Sequence, residues 1–126
     1  MSSIIYKLEY SINTSASILY NRLTTPSGLS EWFADDVRID IEGNYIFEWE
    51  GSIEKAKLVT KKQNEFIKFE WIEEETVFEM LIVVNPITHD VALIIKDVAD
   101  NEDEKNYKIQ NWNLQIEKLK KVLGSS

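Results

Sequence analysis

The last long segment of the chain, Glu104 to Leu123, has the pattern of an amphipathic helix, and no other stretch is so long or so clearly helical. Its apolar residues recur at spacings of three and four and therefore share one face: Ile109, Trp112, Ile116, Leu119 and Leu123. Lysines crowd its last turns, where the helix dipole favours positive charge, and Gly124 follows as a stop signal. Because most of the preceding chain has strand patterns, we expect this helix to pack on a sheet.

The N-terminal third predicts one strand and two short helices. Apolar and polar residues alternate from Tyr6 to Asn13, which is typical of a half-buried strand. Ser15 and its neighbours provide caps for a helix over Ala16 to Thr24. A second helix is expected to begin at Thr25-Pro26, with Thr as its cap and Pro at its first position; its apolar residues are Leu29, Trp32 and Phe33.

From residue 37 onward the pattern has period two and predicts six strands separated by turns. The predicted strands are Val37 to Ile41, Tyr45 to Trp49, Ile53 to Lys62, Ile67 to Trp71, Phe78 to Val84 and Val91 to Lys96. The strand from Ile53 is the most polar and is expected to bend. Asp97 to Glu104 is interpreted as a charged, solvated connection to the last helix.

Short turns between successive strands favour antiparallel neighbours, and the alternation gives each strand one apolar and one polar face. A sheet of six or seven twisted strands curves, and the C-terminal helix is the one element long enough to cover its concave face. The prediction is an α+β helix-grip fold in a single domain spanning residues 1–126. Phe47, Phe69 and Phe78 are expected on the concave face.

Composition limits the function. A formal net charge of -8 argues against binding nucleic acid or an anionic membrane surface, because both need positive charge. The chain has no cysteine, and neither a signal peptide nor a membrane-spanning segment is apparent, so a cytoplasmic protein is expected.

We predict no metal, no cofactor and no catalytic residue. The one histidine, His89, falls in a turn without partners, and Asp35-Asp36 could lie either at a cavity mouth or in a plain loop.

Three motifs, in this order, resemble the START-like, or SRPBCC, superfamily, and within it the branch similar to the heat-shock ATPase activator C-terminal domain. They are Leu23-Thr24-Thr25-Pro26 with Leu29 and Trp32-Phe33, then Phe69-Glu70-Trp71, and last Asn111-Trp112 with Ile116 and Leu119. The resemblance implies a cavity between the sheet and the last helix. In various relatives such a cavity binds lipids or other apolar molecules.

The candidate ligand-binding residues are those predicted to point inward: Tyr45, Phe47, Trp49, Phe69, Trp71, Phe78, Met80, Trp112 and Ile116. They would line a pocket for a small apolar, lipid-like molecule, because such sites are built mainly from aromatic and aliphatic side chains. The same residues could instead simply fill the core. In that case the alternative function is a protein-interaction or chaperone-cofactor-like module with a packed interior, whose partner is another protein.

Overall fold

The computed structural model describes residues 3–124 and contains the predicted order of elements. The strands are β1 (Ile4–Ile12), β2 (Asp36–Ile39), β3 (Tyr45–Trp49), β4 (Ser52–Lys62), β5 (Phe66–Trp71), β6 (Val77–Val84) and β7 (Val91–Ala99). The helices are α1 (Ala16–Thr24), α2 (Pro26–Trp32) and α3 (Glu102–Val122). The predicted α+β helix-grip fold is confirmed.

All strands belong to one antiparallel sheet with the order β1-β7-β6-β5-β4-β3-β2. Strands β2 to β7 form a meander, because each turn is short enough to return the chain beside the strand it has just left. Gly43 and Gly51 have φ angles of +89° and +84° in the turns on either side of β3, a region that glycine adopts without strain. The register shifts between Leu58 and Thr60 in β4, which matches the expected bend.

The concave face carries the core, as predicted. Phe47, Phe69 and Phe78 are at most 1% exposed. Phe69 lies directly opposite Phe78 in the pairing of β5 with β6, so both rings point to the same side of the sheet. A shift of one residue in either strand would have turned these rings to solvent.

Helices α1 and α2 meet at a very close approach. The Thr25 hydroxyl accepts a hydrogen bond from the Gly28 backbone N–H at 3.0 Å, which caps α2. A Cβ atom on Gly28 would lie only 2.6 Å from the carbonyl oxygen of Asn21, so glycine is required here. The Trp32 indole N–H donates to the Arg22 carbonyl oxygen at 2.9 Å and fixes α2 on α1.

Helix α3 begins two residues before the predicted start. The side chain of its cap residue, Asn101, accepts from the Glu104 N–H at 2.8 Å, and the acidic residues of the first turn suit the positive end of the helix dipole. Trp112, Ile116 and Leu119 form its buried face, as the spacing predicted. The helix packs mainly against α2, β1 and β7.

The predicted ends of β2 and β7 were wrong. The predicted strand to Ile41 ends at Ile39, because the Asp40 side chain accepts from the N–H groups of Glu42 and Asn44 and forms a turn; Ile41 is fully exposed. The last strand does not stop at Lys96 but continues to Ala99, so Asp97 lies in β7 and not in a solvated connection.

Candidate functional site

A groove of about 850 Å³ opens between α3, the end of α2 and the turns that join β3 to β4 and β5 to β6. We call it the aromatic groove. It exists because α3 packs mainly on α2 and on the β1–β7 side of the sheet, leaving space between the helix and the ends of β3, β4 and β5. Its wall includes Asp35, so the cavity-mouth alternative for that residue agrees with the structure.

Aromatic side chains line the groove, and they include all four tryptophans of the chain. The aromatic residues in its wall are Trp32, Phe33, Trp49, Trp71, Tyr107 and Trp112. The Phe33 ring lies at the centre, with its centroid 5.6 Å from that of Trp49 and 5.7 Å from that of Trp112. The rings of Trp49 and Trp71 are 6.2 Å apart, and both are only half-buried.

The nine candidate residues from the sequence divide into two groups. Trp49, Trp71 and Trp112 lie in the wall of the aromatic groove. The others are buried in the core and lie outside the groove wall: Tyr45, Phe47, Phe69, Phe78, Met80 and Ile116. Phe47 and Phe78 pack against Trp71 from the core side, with ring centroids 5.5 Å and 5.2 Å away, so these two residues of the second group support the groove wall.

The backbone carbonyl of Phe33 orients two side chains of the groove. Its oxygen accepts from the Trp49 indole N–H at 2.9 Å and from the Gln115 side-chain amide at 2.8 Å. These bonds link the end of β3 and the middle of α3 to the segment after α2. Hydrogen bonds to one carbonyl oxygen therefore connect three elements around the aromatic groove.

Asp97 is the functional candidate that the sequence interpretation missed. It is 7% exposed and lies at the inner side of the groove. Its Oδ2 atom accepts from the Tyr6 hydroxyl and the Trp112 indole N–H, each at 3.0 Å, and its Oδ1 atom accepts from the Val98 N–H at 2.8 Å. Three donors and no acceptor around one carboxyl group fit its ionised form.

The alternation of apolar residues in the sequence indicates that Asp97 points inward. Val91, Leu93 and Ile95 point inward, and Ala99 continues the same alternation four residues after Ile95. Asp97 occupies the inward position between them, directly opposite Tyr6 in β1. Following the period past the charged pair Lys96-Asp97 would have placed this carboxylate in the interior.

Burial, together with the negative charge of Asp97, raises the pKa of the Tyr6 hydroxyl. In the unfolded chain a tyrosine ionises near pH 10, whereas folded Tyr6 keeps its proton, so rising pH favours unfolding. We expect Tyr6→Phe to be less stable than wild type at pH 8. Above pH ~10 this deficit should shrink by about 1.4 kcal/mol per pH unit, because the variant lacks the ionising group.

Urea unfolding followed by circular dichroism between pH 8 and 11 measures this difference. Tyr107→Phe is the matched control, since it removes an exposed hydroxyl and should change the unfolding free energy at pH 8 by no more than about 0.5 kcal/mol. A Tyr6→Phe deficit that stays constant through pH 11 would contradict the assigned cause.

The charged side chains of the groove are mostly acidic. They are Glu31, Asp35, Glu54, Glu74, Asp97 and Glu104, with Lys108 and Lys118 as the basic residues. Glu54 shares the concave side of the sheet with Phe47, its partner in the pairing of β3 with β4. Partial burial raises the pKa of Glu54, and the charges of Glu74 and Glu73 add to the effect.

Two further features bear on the class of site. Among residues 3–124, no three histidine, aspartate or glutamate side chains are grouped so that they could hold a metal ion. No helix within the same residues is long and apolar enough to cross a membrane. His89 is exposed in the turn between β6 and β7, away from the groove wall.

A curved antiparallel sheet gripped by one C-terminal helix, with an aromatic groove beside that helix, defines a helix-grip protein. The family model for the START-like superfamily domain matches residues 1–125, and the chain belongs to this superfamily. The resemblance inferred from the sequence motifs is thereby confirmed.

Solved structures agree with this assignment. The chain is similar to protein BfR322 from Bacteroides fragilis, with 33% identity, a TM-score of 0.67 and coverage of 98% of this chain and 93% of that one. It is also similar to the Aha1 dimer from Colwellia psychrerythraea (18% identity, TM-score 0.78, 98% and 96% coverage). DynU16, a protein of the dynemicin biosynthetic locus, matches with 12% identity and a TM-score of 0.82 over 95% of this chain and 47% of that one. No curated protein matches the chain.

Proposed function

We propose that this protein binds a small apolar ligand in the aromatic groove. The observation that carries the proposal is a groove of about 850 Å³ whose wall includes all four tryptophans of the chain. Ligand sites typically occupy about 300–1,000 Å³ and are lined mainly by apolar and aromatic side chains with a few polar groups. Trp49, Trp71 and Trp112 are the proposed contact residues.

The proposed ligand site lies beside α3 and not beneath the centre of this helix. Phe47, Phe69 and Met80 are fully buried and fill the space between the sheet and the helix. Ile116, at 2% exposed, is packed among them, so a larger side chain at this position would overpack the core and not block the groove. The buried candidates therefore have a supporting role, as the rings of Phe47 and Phe78 do behind Trp71.

We propose binding without catalysis. Both oxygens of Asp97 already accept hydrogen bonds from the protein, which supports a structural or electrostatic role for this carboxylate and not proton transfer. A carrier or a sensor of a small molecule fits such a site. The packed core favours the alternative, a protein-interaction module, and that alternative predicts that apolar probes do not enter the groove.

Titration with Nile red, a neutral dye whose fluorescence rises in apolar surroundings, tests the proposal. Wild type should show a saturable rise, and Asn111→Trp should weaken binding about tenfold or more, because Asn111 is an exposed residue of the groove wall and a larger side chain there occupies the groove. Gln110→Trp is the matched control. It adds the same side chain at the preceding exposed position of α3, outside the groove wall, and should bind like wild type.

Equal dye binding by Asn111→Trp and wild type would place the dye elsewhere on the surface and contradict the proposed site. Absence of saturable binding by wild type would favour the protein-interaction module. Circular dichroism of each variant establishes that a loss of binding does not come from unfolding.

A further inference from the structure

The aromatic groove combines ring faces with an excess of negative charge. Six carboxyl groups line it against two lysines, and Glu73 adds its charge close to Glu54 at the rim. A groove that served a neutral apolar molecule would need no such excess. The charge must therefore be explained by solvation, by the protein's own cations or by a ligand.

Asp97 is poorly explained by solvation, because it is buried. A buried charge is normally paired with an opposite charge or coordinates a metal. The donors to Asp97 are the neutral groups of Tyr6, Trp112 and Val98, and within residues 3–124 no lysine or arginine forms an ion pair with it. Its negative charge is stabilised by hydrogen bonds but is not neutralised.

Lys108, one of the two lysines in the groove wall, already has partners. The Lys108 ammonium donates to the Val98 carbonyl oxygen at 2.8 Å and forms an ion pair with Glu104 at 3.5 Å. Its field lowers the pKa of Glu54 only as the last of several effects; burial, Glu74 and Glu73 all act in the opposite direction. Lys108 therefore offsets Glu104, and Arg22 forms an ion pair with Glu31 at 3.7 Å. Among the described residues, no lysine or arginine forms an ion pair with the remaining groove carboxyl groups, those of Asp35, Glu54, Glu74 and Asp97.

Besides its negative charge, the aromatic groove offers the faces of its tryptophan rings. The indole N–H of Trp49 donates to the Phe33 carbonyl oxygen and that of Trp112 donates to Asp97, so the polar edges of these rings point into the protein. The π-faces of tryptophan attract cations within about 6 Å of the ring centroid, and desolvation strengthens that attraction. Half-buried Trp49 and Trp71, tilted by 54° to each other, present such faces in an acidic setting.

We propose that the aromatic groove selects an organic monocation, an alkylammonium group carried on an apolar body. The ammonium group lies against Trp49 and Trp71 within the field of Asp97, Glu54 and Glu74, and the apolar body follows the rest of the aromatic wall. This inference rests on the proposed function, because it names the class of ligand for the same groove.

Three probes with one decyl chain and different head groups test the inference: decyltrimethylammonium, decanol and decanoate. Isothermal titration is run below the micelle concentrations of the two ionic probes and below the solubility limit of decanol. It should give the affinity order cation, alcohol, carboxylate, with the cation at least about tenfold tighter than the alcohol. Equal affinities for the three would overturn the cation selectivity but keep the binding function. Binding by none of them would overturn the proposed function itself.

Two substitutions assign the selectivity to the groove. Glu54→Gln should weaken the binding of decyltrimethylammonium about two- to fivefold, as expected for the loss of a partly exposed charge pair. It should leave the affinity for decanol unchanged. Asp97→Asn keeps the shape of the buried group and should weaken the binding of the cation about tenfold or more. Glu9→Gln, which removes an exposed carboxylate on the opposite face of the sheet, is the matched control and should bind all three probes like wild type.

If Asp97→Asn fails to fold, Glu54→Gln alone tests whether the ligand charge lies in this part of the groove. Unchanged cation affinity in Glu54→Gln, or an equal loss for decanol and the cation, would overturn the proposed contact between the ligand charge and this part of the groove.

Discussion

Trp112→Ala is expected to lower the free energy of unfolding by about 3–5 kcal/mol, as truncations of large buried aromatic residues do. Trp112 is 6% exposed and contacts the Phe33 and Phe78 rings, which connect α3 to the segment after α2 and to β6. Its indole N–H also donates to buried Asp97. The substitution removes the ring and leaves a buried carboxylate with one donor fewer, and both losses act in the same direction.

Urea denaturation with the midpoint and slope fitted separately measures this loss. Leu114→Ala is the matched control on α3, because Leu114 is mostly exposed and its truncation should cost no more than about 0.5 kcal/mol. Trp112→Phe separates the two contributions, since it keeps an aromatic ring and removes the donor. A denaturation midpoint for Trp112→Ala that equals that of wild type would show that this residue does not hold α3 on the sheet.

Phe69→Ala should be comparably destabilising, by about 3–5 kcal/mol. Its fully buried ring lies 4.9 Å from the Tyr45 ring and 5.3 Å from the Phe78 ring, so it joins β3, β5 and β6 at the centre of the concave face. Truncation leaves a cavity that the surrounding rings fill only in part, because they are held by their own contacts.

Phe66→Ala provides the control within the same strand. Phe66 is half-buried and points to the opposite face of β5, so its truncation should cost only about 1 kcal/mol. Thermal unfolding of the two variants therefore tests the register of β5 directly. A larger loss for Phe66→Ala than for Phe69→Ala would mean that the faces of this strand are reversed.

The fold was predictable because its determinants are local. Alternation in β3, β5 and β6 placed Phe47, Phe69 and Phe78 on one face, and a slip of one residue would have exposed all three. The spacing of Trp112, Ile116 and Leu119 likewise determined the buried face of α3. The predicted strand to Ile41 was wrong because the Asp40 side chain forms a turn that an alternation count does not detect.

The groove was less predictable because it depends on where the elements pack. Periodicity identified Trp49, Trp71 and Trp112 as inward residues but did not distinguish these groove residues from a core residue such as Met80, since all of them point into the space between the sheet and α3. That difference comes from the position of α3, which covers the β1–β7 side and leaves the ends of β3 to β5 open. Asp97 was missed because a charged residue was taken as the end of an apolar alternation.

A small molecule in the aromatic groove would change the surroundings of the tryptophan side chains in its wall. The four tryptophan indole N–H signals in a ¹H–¹⁵N correlation spectrum report this change. During titration with each of the three decyl probes, we expect saturable shifts of the Trp49, Trp71 and Trp112 signals, with the largest shifts for decyltrimethylammonium. The backbone amide signals of Lys68 and Ile94, whose side chains point to the opposite face of the sheet, should not shift. Shifts confined to residues of that opposite face, or no saturable indole shift with any probe, would contradict binding in the aromatic groove.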